Sequence, residues 1–321
     1  MATYKEIFGT NIEVLASDPA NPVTGQVWYN STDNVVKGLA ATTAGAWATG
    51  GNLNTARYYI AGAGDKDAAL TYGGLGTTTY GITESYNGSS WTEVADLNTA
   101  RRSFGGAGTQ TAAINAGGYN PGSLDVANTE IWNGSSWTEV ADLNTATRAM
   151  GSTKQSSTSA LYFGGTGSPN AKNESWNGTS WTEVADLNTG RAQLVGAGAD
   201  NTSGIAIGGS PAVALTETWN GTSWTEVNDL NTGRQYMMAA GTVPSAIVAG
   251  GEPLTAVTEI WNGTSWSEDT DLNVARFGGA GAGPSGSSAL VFGGDTDPGN
   301  STATEEWTGA GAPLVYTFTD S

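Results

Sequence analysis

The sequence predicts an all-β fold, a six-bladed β-propeller, from three observations. One unit recurs six times, every 42 to 47 residues. Each unit reads as four short strands separated by turn signals. The 47 glycines among 321 residues, with many Ser, Thr, Ala and Asn, suit tight turns and flat sheets of small side chains.

The unit opens on an arginine: Arg57, Arg101, Arg148, Arg191, Arg234 and Arg276. Strand a follows, rich in small residues, as in Gln193 to Ala199. Strand b is apolar and runs into a Gly-Gly pair, as in Ala160-Leu161-Tyr162-Phe163-Gly164-Gly165. Strand c carries a glutamate, Glu84, Glu130, Glu174, Glu217, Glu259 or Glu305, and an aromatic two residues later. Strand d opens on a second Trp: Trp91, Trp137, Trp181, Trp224 or Trp266. Asn-Gly joins c to d and predicts a type I′ hairpin, which needs positive φ at both central residues. The two aromatics then stand opposite or diagonal and supply a layer between neighbouring sheets. A lone four-stranded meander leaves both faces uncovered, and radial stacking covers them.

Ring closure follows from counting. The sixth unit has Glu305 and Trp307 but no following Ser-Trp strand. Trp47 lies ten residues before Arg57, as Trp91 does before Arg101. The N-terminal strand is therefore expected to complete the last blade. A seven-blade count is the other reading. It groups Gln26 to Asn30, Val35 to Leu39, Trp47 and Leu314 to Phe318 into a degenerate extra blade.

The recurring Arg, Gly-Gly, Glu-x-aromatic and Trp resemble the kelch repeat over residues 47 to about 308. The uniform Asp-Leu-Asn-Thr-Ala/Gly-Arg connector departs from common kelch units. Residues 1–45 lack the repeat and hold a hairpin-like stretch, Gly25 to Gly38. That stretch resembles short β-modules at the start of tail proteins of tailed phages. The whole chain resembles kelch-containing virion proteins of marine tailed phages. The resemblance implies a virion location and a docking module at 1–45. It implies that this module contacts other virion proteins and that a propeller at 46–321 projects toward a host-surface glycan or protein. Plugging or extending the ring is the other reading of 1–45. A cellular binding module and a glycan-active propeller enzyme are the competing functions.

Composition narrows the chemistry. The chain has no cysteine and no histidine, which removes disulfides, thiolate and imidazole metal ligands, and the Ser-His-Asp triad. No catalytic residue, metal site or cofactor is expected. The net charge of −18 opposes nucleic acid and anionic membranes. No apolar run approaches the roughly 20 residues of a membrane helix. Met1 to Thr10 lacks the apolar centre of a signal peptide. The oligomeric state is open, with a homo-oligomer among the possibilities.

Candidate sites divide into repeating and non-repeating residues. The six Arg and six Glu recur with the unit, so Arg–Glu pairs that set geometry are expected. An arginine cluster for an anionic sugar is the sharper alternative. Asn-Gly-Ser/Thr at Asn87, Asn133, Asn177, Asn220 and Asn262 matches the glycosylation sequon but serves the turn. The Trp positions read as packing rather than sugar stacking. Asp65-Lys66-Asp67 and the Asp295, Asp297, Asn300 run invite calcium without matching a full loop motif. Length varies mainly between Gly-Gly and the glutamate, where 8, 10, 7, 6, 6 and 9 residues lie between the second Gly and the residue before Glu. These b–c loops are the expected contact face, with Tyr119, Asn120, Asp125, Asp295 and Asp297 as candidate binding residues.

Overall fold

The computed structural model describes residues 12–19, 26–39, 44–167, 170–310 and 315–318. Met1 to Thr10, Pro22, Gly25 and Leu314 lie outside them. The chain divides into two compact units, Ala46–Thr308 and Met1–Gly45 with Gly309–Ser321.

Among the described residues the larger unit holds six four-stranded antiparallel sheets, an arrangement consistent with a β-propeller. Sheet 1 comprises Ala61–Gly64, Ala69–Tyr72, Thr83–Tyr86 and Trp91–Val94, in the order a-b-c-d. The same order recurs at 105–140, 151–184, 195–226 and 238–269. Sheet 6 takes a, b and c from 280–308, and Ala46–Thr49 pairs antiparallel to Thr304–Thr308 as its strand d. Trp47 stands opposite Trp307, with ring centroids 5.0 Å apart. The strand predicted to close the ring therefore pairs as expected.

Strands a line the centre, where only small side chains fit. An added Cβ on Gly106 would meet Tyr72 Oη at 2.4 Å and Ala61 Cβ at 2.9 Å. One strand a starts later than expected: it runs Val195–Asp200, and Gln193 before it is left-handed at φ 60°. Equivalent left-handed residues are Tyr59, Ser103, Ala149, Tyr236 and Gly278. Their backbones close a cycle. Each of the six N–H groups donates to the carbonyl of the preceding member, from Ser103 to Tyr59 round to Tyr59 to Gly278, at 2.5–2.9 Å.

The core lies between sheets. Six apolar clusters each combine residues of two neighbouring sheets, the last joining sheet 6 to sheet 1. Trp137 of sheet 2 packs on Tyr72 of sheet 1 at 4.8 Å, edge to face. Within each sheet the two aromatics stand directly opposite, as Trp176 does to Trp181. That register leaves four residues in the c–d loop, so the turn is not the predicted two-residue type I′. The Asn side chain organises it instead: Asn177 Oδ1 accepts from Thr179 N at 2.9 Å and Ser180 N at 3.0 Å. Only the glycine is left-handed, Gly178 at φ 92°.

The smaller unit holds one mixed four-stranded sheet. Glu13–Leu15 runs parallel to Val27–Asn30, which forms a hairpin with Val35–Leu39. Val315–Phe318 adds antiparallel to Val35–Leu39. This strand was expected within a propeller domain of 46–321, and its backbone pairing assigns it to the smaller unit instead. Asp18 gathers this sheet, accepting from Trp28 Nε1, Asn30 Nδ2 and Lys37 Nζ at 2.8–3.1 Å. Those bonds, Asn30 first, hold its carboxyl below the usual range.

Candidate functional site

Five of the predicted Arg–Glu pairs form, each within one sheet. Arg101–Glu130 and Arg276–Glu305 are 2.6 Å apart, Arg234–Glu259 is 2.7 Å, and Arg57–Glu84 and Arg191–Glu217 also pair. All ten side chains are buried. Arg101 also donates to the carbonyls of Gly117 and Asn128, and its Nε reaches toward Thr99 O. The glutamate's other oxygen anchors the connector: Glu130 Oε2 accepts from Asn98 N and Nδ2, both at 2.8 Å. Burial pulls the Arg101, Arg234 and Arg276 pKa values down, and the paired carboxylate opposes it. These side chains hold the crossing between sheets, and the guanidinium nitrogens left without a partner, Arg57 Nη2 and Arg276 Nε and Nη1, are buried.

Arg148 does not join them. The repeat position is Thr147, whose carbonyl accepts from Gly118 N as Arg101 O accepts from Gly74 N. One extra residue in the connector shifts Arg148 to the place of Arg102, outside the buried slot. Arg148 instead pairs with Asp125 at 2.7 Å and lies over the Tyr119 ring at 4.0 Å. Arg102 lies over the same ring at 4.7 Å. Thr166 Oγ1 donates to the other Asp125 oxygen at 2.9 Å.

The b–c loops begin beside the segment after each repeat arginine. Tyr119 bridges to Arg102 and to Asp125, and Asp295 bridges to Phe277 and to Asn300. Of the five predicted binding residues, Tyr119 and Asp125 share a cluster. Asn120 organises its own loop, accepting from Leu124 N at 3.1 Å, and leaves Leu124 exposed at the tip. Asp295 Oδ1 accepts from Asp297 N at 2.9 Å, which places that pair in a separate loop. Asp65 likewise caps its own hairpin, accepting from Asp67 N and Ala68 N at 2.9 Å.

Four rim residues were missed in the sequence. Tyr58, Tyr59, Tyr236 and Phe277 form a half-buried patch, with ring centroids 4.3–6.4 Å apart. Burial, with the Tyr236 hydroxyl beside it, pushes the Tyr59 phenol far above its ordinary pKa. The available signal was variation at constant length. The two residues after the repeat position read Tyr-Tyr, Arg-Ser, Arg-Ala, Ala-Gln, Gln-Tyr and Phe-Gly in the six units. Tyr59 and Tyr236 also line a central cavity, with Ser103, Gln193 and Lys154. Burial among neutral groups lowers the Lys154 pKa to about 8.

No family model and no curated protein matches the chain. A solved structure described as that of YjhT is similar, with a TM-score of 0.66 and 16% identity, over 84% of this chain and 99% of that one. At that identity the likeness is one of fold, the β-propeller, and it leaves function to the site.

Proposed function

We propose that the chain is a non-enzymatic binding protein, a six-bladed kelch-like propeller that presents its b–c rim to a host surface from a tailed-phage virion. The observation that carries the binding reading is the half-buried aromatic set Tyr58, Tyr59, Tyr236 and Phe277, of which Tyr59 and Tyr236 line the central cavity. Such rings bury little conformational entropy on binding and offer flat apolar faces, the surface a sugar ring stacks on. The Arg102–Tyr119–Arg148 stack on the same rim adds planar donors for carboxylate or hydroxyl groups. The six-blade count draws support from the closed backbone cycle of six left-handed residues. The virion location rests on the sequence resemblance.

Two measurements test the parts separately. Tyr58→Ala with Tyr236→Ala should abolish binding of the purified chain to host cells or arrayed glycans while leaving the melting temperature nearly unchanged. Undiminished binding removes the rim from the reading. Immunogold labelling of purified phage that encodes the chain should place gold at tail or fibre tips. Bare particles reject the virion location.

A further inference from the structure

The third sheet carries a vacated arginine slot. Thr147 stands where five units place a buried arginine, yet the groups that receive that arginine elsewhere are kept. Glu174 is 5% exposed and accepts from Asn144 N and Nδ2 at 2.8 Å and from Thr145 N at 3.1 Å, as its counterparts accept from their own connectors. The Oε1 that meets a guanidinium in the other units has no cation here among the described residues. Gly164 O and Thr145 O correspond to Gly117 O and Thr99 O, which Arg101 faces. A cavity fills the space, lined by Leu143, Thr145, Thr147, Tyr162, Gly164 and Glu174. Half-buried Thr147 and Thr166 and exposed Gly167 edge it on the solvent side.

We propose that this cavity is a binding site for an alkylguanidinium group, such as an arginine side chain brought by a ligand or partner. A planar fork spreads its donors over three nitrogens, as Arg101 does toward the same set of one carboxylate oxygen and two carbonyls, whereas an ammonium holds its three on one atom. A buried carboxylate without a counter-charge also gains most from a cation that arrives with hydrogen bonds. Lys172, which occurs at this position only in the third unit, borders the cavity too. Its ammonium is directed to Thr145 Oγ1 and Glu183 Oε2, both at 3.3 Å, rather than to Glu174.

The test is thermal denaturation and calorimetric titration of the full chain with ethylguanidinium at millimolar concentration, well below denaturing levels, with ethylammonium as control. Ethylguanidinium should raise the melting temperature and ethylammonium should not. Thr147→Arg, which refills the slot from within, should raise the melting temperature unaided and weaken ethylguanidinium binding by at least about tenfold. Glu174→Gln should abolish the response. Should that variant fail to fold, Thr147→Arg decides alone. Equal responses to both cations, or full binding by Thr147→Arg, overturn the proposal. So does binding that occurs only in Lys172→Met, which would make Lys172 the occupant.

Discussion

Trp181 of sheet 3 donates its indole N–H to Thr129 Oγ1 of sheet 2 at 3.0 Å, a buried bond across the seam between the sheets. Trp47 to Thr258, Trp91 to Thr304, Trp137 to Thr83 and Trp266 to Thr216 repeat it at 2.9–3.1 Å. At the seam between sheets 3 and 4 the threonine is replaced by Asn173. Trp224 Nε1 and Asn173 Oδ1 are both buried there without partners. A neutral hydrogen bond contributes about 0.5–1.5 kcal/mol, and an unmet buried donor costs more. Asn173→Thr should therefore stabilise the chain by about 1 kcal/mol, read as a higher urea midpoint at unchanged slope. No gain would mean that the carboxamide already serves this seam.

The buried pairs and the exposed one should respond differently to loss of the arginine. Arg191→Met leaves Glu217 charged and enclosed, and breaking such a pair costs about 3–5 kcal/mol. Arg148 and Asp125 have side chains 35% and 30% exposed. Arg148→Met should cost no more than about 1 kcal/mol, as for solvent-screened pairs. Equal losses in chemical denaturation would return Arg148 to the structural set.

These contrasts mark what was legible in the sequence. The strand order, the closing strand at Trp47 and five Arg–Glu pairs follow from residues that repeat, because each blade repeats the same packing problem. Arg148 was misplaced because residue type was matched before register, although the eleven-residue spacing from Trp137 already departs from ten. The c–d turn was misread because Asn-Gly signals a tight turn without specifying its length, which the Trp176–Trp181 register sets. Tyr58 and Tyr59 could not be placed with Tyr236 and Phe277, since the contacts between the two pairs join units over 170 residues apart in sequence. The pairing of Val315–Phe318 with the smaller unit has no local motif to announce it.

Lys154 should make stability depend on pH. Its half-buried ammonium lines the central cavity, and among the described residues no carboxylate pairs with it. Its folded pKa of about 8 lies below the ordinary lysine value of 10.5. Below pH 8 the lysine is charged in both states and the folded state bears the full burial penalty. Between about 8 and 10.5 the folded chain has shed a proton that the unfolded chain retains, so this group's contribution to stability rises with pH. Lys154→Met should melt higher than the wild type at pH 7, and the gap should close toward pH 10.5. A gap that stays constant across that window would mean that Lys154 is solvated.

The closing strand should separate two truncations that differ by four residues. Trp47 is 8% exposed, packs on Trp307 and donates to Thr258 Oγ1 at 3.1 Å and Thr270 O at 3.0 Å. Among the described residues, Ala46–Thr49 supplies the one hydrogen-bonded neighbour of strand c in sheet 6 on that side. Residues 46–308 hold every strand of the six propeller sheets. A chain of 46–308 should therefore fold and melt in one cooperative transition. A chain of 50–308 should lose several kcal/mol, since removing a buried Trp alone costs about 3–5, and should expose an unpaired edge that promotes aggregation. Scanning calorimetry with light scattering reads both effects. Equal transitions for the two chains would show that the ring holds without its closing strand.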